Sequence, residues 1–127
     1  MKGMKQTALA FSFGEVFLYD HYIVSVINEG ETVTPAFNDE LVKIADTVYK
    51  DRPFGYITHR IYSYSVDPRV YLETSRIDNL KAFAVVTKEP ISKSNMEIEK
   101  LFLKKPVAVF NELEEAETWV TSLIANV

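Results

Sequence analysis

The chain lacks cysteine entirely: none occurs among its 127 residues. Disulfides, thiolate nucleophiles and Cys-ligated zinc sites are therefore excluded. Glycine is scarce, and its four residues are Gly3, Gly14, Gly30 and Gly55. They are too far apart to form a dinucleotide-binding fingerprint or a P-loop, and no Gly-x-Ser-x-Gly nucleophile elbow occurs. The two histidines, His21 and His59, lack the spacing of metal ligands. We expect neither a metal nor a cofactor.

Excess basic charge and long apolar runs are also missing. Fourteen Lys and Arg against 18 Asp and Glu give a formal net charge of −4, so no basic stripe is available to neutralise nucleic-acid phosphates. No apolar run approaches the roughly 18 residues that a membrane-spanning helix needs. The N-terminal residues 1–11 only faintly resemble a signal peptide, because Ala8 and Ala10 precede the apolar run instead of following it. These features predict a soluble, cytoplasmic protein.

What the sequence does contain is typical of one globular domain. Apolar residues make up 47% and charged residues 25% of the chain, and a length of 127 residues fits a single domain spanning 1–127. Near the N-terminus, residues 7–13 and 15–19 are rich in aromatic and β-branched residues and meet at Gly14, which predicts an antiparallel hairpin. The nearly continuous apolar run 22–27 predicts a strand that is covered on both faces.

Beyond that strand, helical and strand patterns alternate. Thr34 is a candidate N-cap followed by Pro35, and Phe37, Leu41, Ile44 and Val48 then recur at helical spacing. Strands are predicted at 54–59, 81–86 and 106–110, and further helices at Asp67-Pro68, at Ser94 with Glu97, and at Asn111 with Glu114. This order predicts an α/β fold: a mostly parallel sheet of about five to six strands with an N-terminal antiparallel hairpin and four helices.

The element order from Tyr22 to the last helix resembles the STAS-like fold. The C-terminal pattern also resembles this fold, because a short strand over 106–110 is followed by Asn111 and by a helix that contains Ala116 and Trp119. This fold belongs to anti-sigma-factor antagonists (SpoIIAA-like domains) and to sulphate-transporter tails, and it is related to Sec14-type lipid-binding domains. In regulatory members a phosphorylatable serine follows the middle strand, within an Asp-Ser-Ser-Gly-like turn. The resemblance thus points to Ser63 and Ser65, although the Asp-Ser pair and the glycine are absent here.

The segment between the middle strand and the second helix is also the place where open parallel sheets bind ligands. It is the most chemically varied stretch of the chain, with His59, Arg60, Tyr62, Ser63, Tyr64, Ser65, Asp67 and Arg69. Arg60 and Arg69 suit an anion, and the tyrosines suit a pocket or an interface. The competing interpretation is an exposed turn in which Asp67 only caps a helix. Catalysis by His59 as a general base needs a nucleophile and an orienting group as well.

One acidic cluster has a simple explanation. Glu112, Glu114, Glu115 and Glu117 crowd the predicted start of the last helix, where carboxylates interact favourably with the helix dipole.

Three functional hypotheses follow. The first is a non-catalytic regulatory or protein-binding module of STAS-like type, which engages a protein partner through residues 60–68 and the following helix. The second is a carrier of a lipid-like or other apolar small molecule, as the Sec14 kinship implies. The third is a small enzyme that uses His59. A homodimer is compatible with all three.

Overall fold

The computed structural model describes residues 7–62, 64–89 and 103–125. Its strands are β1 (Thr7–Phe11), β2 (Gly14–Leu18), β3 (Tyr22–Ile27), β4 (Thr32–Val33), β5 (Phe54–His59), β6 (Ser65–Val66), β7 (Leu80–Val86) and β8 (Val107–Phe110). Its helices are α1 (Pro35–Ile44), which continues as a π-helical segment (Ala45–Tyr49), α2 (Arg69–Thr74) and α3 (Leu113–Ala125).

Six strands form the main sheet in the order β1-β2-β3-β5-β7-β8. The first two pairings, β1–β2 and β2–β3, are antiparallel. The β3–β5, β5–β7 and β7–β8 pairings are parallel. The predicted mostly parallel α/β sheet with an N-terminal hairpin is therefore confirmed. A second, two-stranded sheet pairs β4 with β6 in parallel.

The helix count differs from the prediction. The sequence predicts four helices, and the described part of the chain contains three α-helices. The predicted helix beginning at Ser94 falls within residues 90–102, which lie outside the described residues. In the part that is described, no helix is long and apolar enough to cross a membrane.

Gly14 shapes the hairpin, as its sequence position predicts. Its φ is +155°, and a Cβ placed there would lie 2.2 Å from the carbonyl oxygen of Val26. A side chain is therefore excluded at the start of β2, where the chain leaves the β1–β2 turn and lies against the end of β3. The turn takes up Ser12 and Phe13, so β1 ends at Phe11, two residues before the predicted end.

Helix α1 begins as predicted and ends differently. Thr34 occupies the N-cap position with Pro35 next, but the Thr34 hydroxyl makes no capping hydrogen bond. At Ala45 the helix widens into the π-helical segment, whose buried residues are Ala45 and Tyr49. Val48, which the regular 3.6-residue spacing predicts in the buried stripe, is only partly buried.

The helices divide between the two faces of the main sheet. Helix α1, the π-helical segment and α2 cover one face, where Tyr49, Phe54 and Leu80 are completely buried. Helix α3 covers the other face, with Ala116 and Val120 packed on β5 and β7. Helix α3 touches β8 and β3 as well, each less than it touches β5 and β7.

Candidate functional site

The loop that follows β5 lies at the carboxyl edge of the parallel strands, where the sequence predicts a site. Its start is fixed by a backbone hydrogen bond from Arg60 to Val86 (2.9 Å). Its end is fixed by the small sheet, in which the Ser65 amide donates to Glu31 and the Asp67 amide donates to Val33, both at 2.9 Å. Anchored at both ends, the loop presents neighbouring side chains to opposite faces of the main sheet.

Arg60 and Tyr64 turn toward the face that α1 and α2 cover. A hydrogen bond of 2.5 Å joins the Tyr64 hydroxyl to Thr58 Oγ1. The Arg60 guanidinium lies over the Tyr64 ring, 4.9 Å from its centre. Deeper in the same face, Ser25 Oγ and the Tyr56 hydroxyl are joined at 2.6 Å. Burial raises the pKa of the Tyr56 hydroxyl well above its ordinary value, so that group stays protonated.

These side chains enclose an inner cavity of only about 30 Å³ between the sheet, α1 and α2. Tyr56, Thr58, Arg60 and Tyr64 form its polar wall, and Phe37 contributes to its apolar wall. A volume of this size holds one or two water molecules, each of which needs about 10–15 Å³. The inner cavity is therefore too small for a lipid-like ligand.

His59, Ile61 and Tyr62 turn toward the opposite face. There they border an open depression of about 440 Å³, the outer groove, which runs over β2 and β3 beside the start of α3. Phe17, Tyr19 and Val26 belong to its lining, and Leu113 forms its border with α3. Ile61 is 58% exposed and Tyr62 is 48% exposed, although both carry large apolar surfaces.

His59 is half-buried at the end of the outer groove. Desolvation lowers the pKa of its imidazole below 6.5, while the carboxylates of Glu112 and Glu117 act in the opposite direction. Because the desolvation effect is the larger, the ring is neutral at pH 7.

Glu117 is buried, which its place in the acidic cluster did not predict. It is only 4% exposed and accepts a hydrogen bond from the buried Tyr22 hydroxyl at 2.8 Å. Burial, reinforced by the Glu117 carboxylate, raises the pKa of Tyr22 far above its ordinary value. The periodicity did contain the signal, since Glu117 lies four residues after Leu113 and three before Val120, within the apolar stripe of α3.

Ser65, Asp67 and Arg69 do not line the outer groove, and Ser63 is not among the described residues. Ser65 is exposed on β6. The Asp67 carboxylate pairs with the Arg69 guanidinium at 2.5 Å and accepts the Arg69 backbone N–H at 3.0 Å, at the start of α2. Those hydrogen bonds from Arg69 lower the pKa of Asp67. Asp67 is thus engaged with Arg69 at the start of α2, where Pro68 occupies the N-cap position without a side-chain capping hydrogen bond.

A third depression, a polar cleft of about 550 Å³, separates α1 from α2 near the other end of the molecule. Carboxylates such as Asp39, Asp46 and Glu73 alternate around it with Lys50 and Arg76. In all, five carboxylates and three basic side chains line it, so opposite charges partly offset one another. Among the residues described, no three His, Asp or Glu side chains are placed to hold a metal ion together.

Comparison with known proteins supports the fold alone. No family model matches the chain, and no curated protein matches it. A solved structure is similar over 94% of this chain and 95% of its own length, with 10% sequence identity and a TM-score of 0.54. It is an uncharacterized protein of the DUF3478 family from Shewanella loihica PV-4, described as having a SpoIIAA-like fold. The predicted STAS-like, SpoIIAA-like architecture is confirmed.

Proposed function

We propose that this chain is a non-catalytic regulatory or protein-binding module of STAS-like type, which contacts its partner through residues 59–62 and the outer groove. The observation that carries the proposal is the exposure of two large apolar side chains, Ile61 at 58% and Tyr62 at 48%, on an anchored loop. Exposed aliphatic and aromatic side chains beside a groove are typical of protein interfaces, where aromatic residues are enriched.

The contrast between the two sides of the loop supports a protein partner over a small molecule. Toward α1 and α2 the loop closes over an inner cavity of about 30 Å³, whereas toward α3 it borders an open depression of about 440 Å³. In this proposal His59 and Tyr62 contact the partner. Arg60 and Tyr64 support the loop from behind through their mutual contact and the Thr58 hydrogen bond.

The loop and the helix that follows it, which the sequence predicts to form one partner-binding surface, lie on different surfaces. Helix α2 packs against α1 on the other face of the sheet, so Leu72, its exposed apolar residue, belongs to a different surface. Leu72 is 43% exposed and therefore serves as a matched control for Ile61.

The test is affinity purification of tagged full-length chain from its native host, with partners quantified by mass spectrometry. We expect Ile61→Asp to reduce the recovery of a specific partner at least about tenfold, because a buried unpaired carboxylate at an interface costs more than about 1.4 kcal/mol. Leu72→Asp is expected to leave recovery unchanged. Circular dichroism checks that both variants are folded. Equal recovery with wild type and Ile61→Asp would overturn the proposal.

A further inference from the structure

Within the described ranges 7–62, 64–89 and 103–125, no helix spans the outer groove, and α3 borders it only through Leu113. On this face α3 packs mainly over β5 and β7. Neighbouring strands lie about 4.8 Å apart, and packed helices lie about 8–10 Å apart, so a second helix beside α3 would lie two strands further along. In the order β1-β2-β3-β5-β7-β8, that position is over β2 and β3. These are the strands that line the outer groove.

The floor of the groove suits the apolar face of a helix. Phe17 from β2 and Val24 and Val26 from β3 point to this side of the sheet, and Tyr19 stacks on Tyr22 at one end with ring centres 4.6 Å apart. Ile61 and Tyr62 border the other end of the outer groove. An amphipathic helix places apolar residues at i, i+3, i+4 and i+7 on one face, and that face fits the apolar floor between the two ends of the outer groove.

The charged residues around the outer groove indicate which charge the polar face of a bound helix carries. Among the described residues that line it, Glu15 and His59 are the titratable side chains other than tyrosine, and none is Lys or Arg. Glu112 lies close enough to His59 to influence its pKa and already pairs with Lys88 at 3.1 Å. Glu15 is exposed on β2 and remains on the rim as the carboxylate that faces an incoming partner. A second copy of this chain, with its net charge of −4, would bring a like-charged rim against this one.

From these observations we infer that the outer groove binds a basic amphipathic helix of a partner protein, laid beside α3 with its apolar face on β2 and β3 and its Lys or Arg residues near Glu15. This inference rests on the proposed function and adds the chemistry of the partner.

The probe is a Leu/Lys peptide of about five helical turns with one apolar face, compared with a peptide of identical pattern in which Glu replaces Lys. Binding to the full chain is measured by fluorescence anisotropy, and the contact surface is mapped by amide chemical shifts. We expect the Lys peptide to bind at least about tenfold more tightly than the Glu peptide, because like charges at a close contact cost several kcal/mol. The largest shifts are expected at Glu15, Val26 and Ile61.

Two charge-reversal variants distinguish binding at the outer groove from nonspecific attraction of the Lys peptide to an acidic protein. Glu15→Lys on β2 and Asp39→Lys on α1 change the net charge equally, and both side chains are exposed. We expect Glu15→Lys to weaken Lys-peptide binding about tenfold and Asp39→Lys to change it less than about twofold. Equal effects of the two variants, equal binding of the two peptides, no binding of the Lys peptide, or self-association through the groove would each overturn the inference.

The inference and the proposed function fail in different ways. If Ile61→Asp abolishes partner recovery while the Lys peptide does not bind, the surface recognises a partner of other chemistry, and only the helix inference is overturned. If Ile61→Asp leaves partner recovery intact, the proposed function itself is overturned.

Discussion

His59 lies where the sheet, α3 and the exposed loop meet, and its surroundings keep its imidazole neutral. The main cause is desolvation, which lowers its pKa below 6.5, and the nearby carboxylates of Glu112 and Glu117 offset only part of this effect. A neutral, half-buried imidazole fits the apolar end of the outer groove better than an imidazolium does.

This environment makes the stability of the fold depend on pH. Because the folded chain binds a proton at His59 less readily than the unfolded chain, the free energy of unfolding falls as the pH drops through about 6.5, and the loss is complete below the folded-state pKa. We expect His59→Gln to show a smaller fall between about pH 7.5 and pH 5 than wild type. Urea unfolding at several pH values measures the difference. His21→Gln, in an exposed turn, is the control. Parallel pH profiles for wild type and His59→Gln would contradict this account.

At the residue scale, the sequence predicted a candidate site in the loop after β5, but not which way the side chains of that loop point. The loop after β5 was predicted from composition and from the position of ligand sites in parallel sheets. Whether a loop residue faces α2 or α3 depends on backbone anchors at both ends, namely the contacts of Arg60 with Val86 and of Ser65 with Glu31. Those contacts join segments that are distant in the chain. Ile61 was therefore missed, and Arg60 and Tyr64 were grouped with residues of the opposite face.

The packing of α3 against β5 depends on one small residue. A Cβ added to Gly55 would lie 2.1 Å from Cγ1 of Val120, so the helix can approach the sheet this closely only because that position is glycine. The approach places the start of α3 at the border of the outer groove, where Leu113 lies.

Gly55→Ala is expected to lower the free energy of unfolding by about 1–3 kcal/mol, the usual cost of overpacking a core. Denaturant unfolding measures the loss. The double variant Gly55→Ala/Val120→Ala tests the cause, because truncating Val120 restores room for the new methyl group. We expect the double variant to be more stable than the sum of the two single effects predicts. Strict additivity of the two effects would mean that Gly55 matters for a reason other than its contact with Val120.

At the element scale, the alternation of strands and helices was predictable because it follows from the period of apolar residues. The departures occur where a tertiary contact overrides the local pattern. The π-helical segment buries Tyr49 in place of Val48, and the Tyr49 hydroxyl donates to the carbonyl groups of Tyr19 (2.7 Å) and Tyr22 (2.9 Å). These partners lie about 30 residues away in the sequence. At the start of α3, the Glu115 carboxylate accepts a hydrogen bond from the Glu112 backbone N–H at 3.1 Å. This pair lies one residue later in the chain than the predicted Asn111–Glu114 pair.

At the scale of the whole molecule, the depressions of ligand size lie at the surface, namely the outer groove and the polar cleft between α1 and α2, and the spaces within the core are small. On the face of α1 and α2, the spaces within the core measure about 30 Å³ and about 10 Å³. Pockets for drug-sized ligands measure about 300–1,000 Å³, so this interior cannot hold a lipid-like molecule without separating α1 from α2. The outer groove reaches that range but is open to solvent along the sheet.

We therefore expect the freshly purified chain to give, in native mass spectrometry, the mass of the 14.5 kDa polypeptide alone, and an organic extract of it to contain no stoichiometric lipid. The physical reason is that a carrier must bury most of its ligand, and the described core offers room only for water. Ile61→Asp locates any adduct that does appear. An adduct lost in this variant occupies the outer groove, whereas one retained at full stoichiometry occupies the polar cleft or the interior. The second outcome would favour the carrier hypothesis over the protein-binding one.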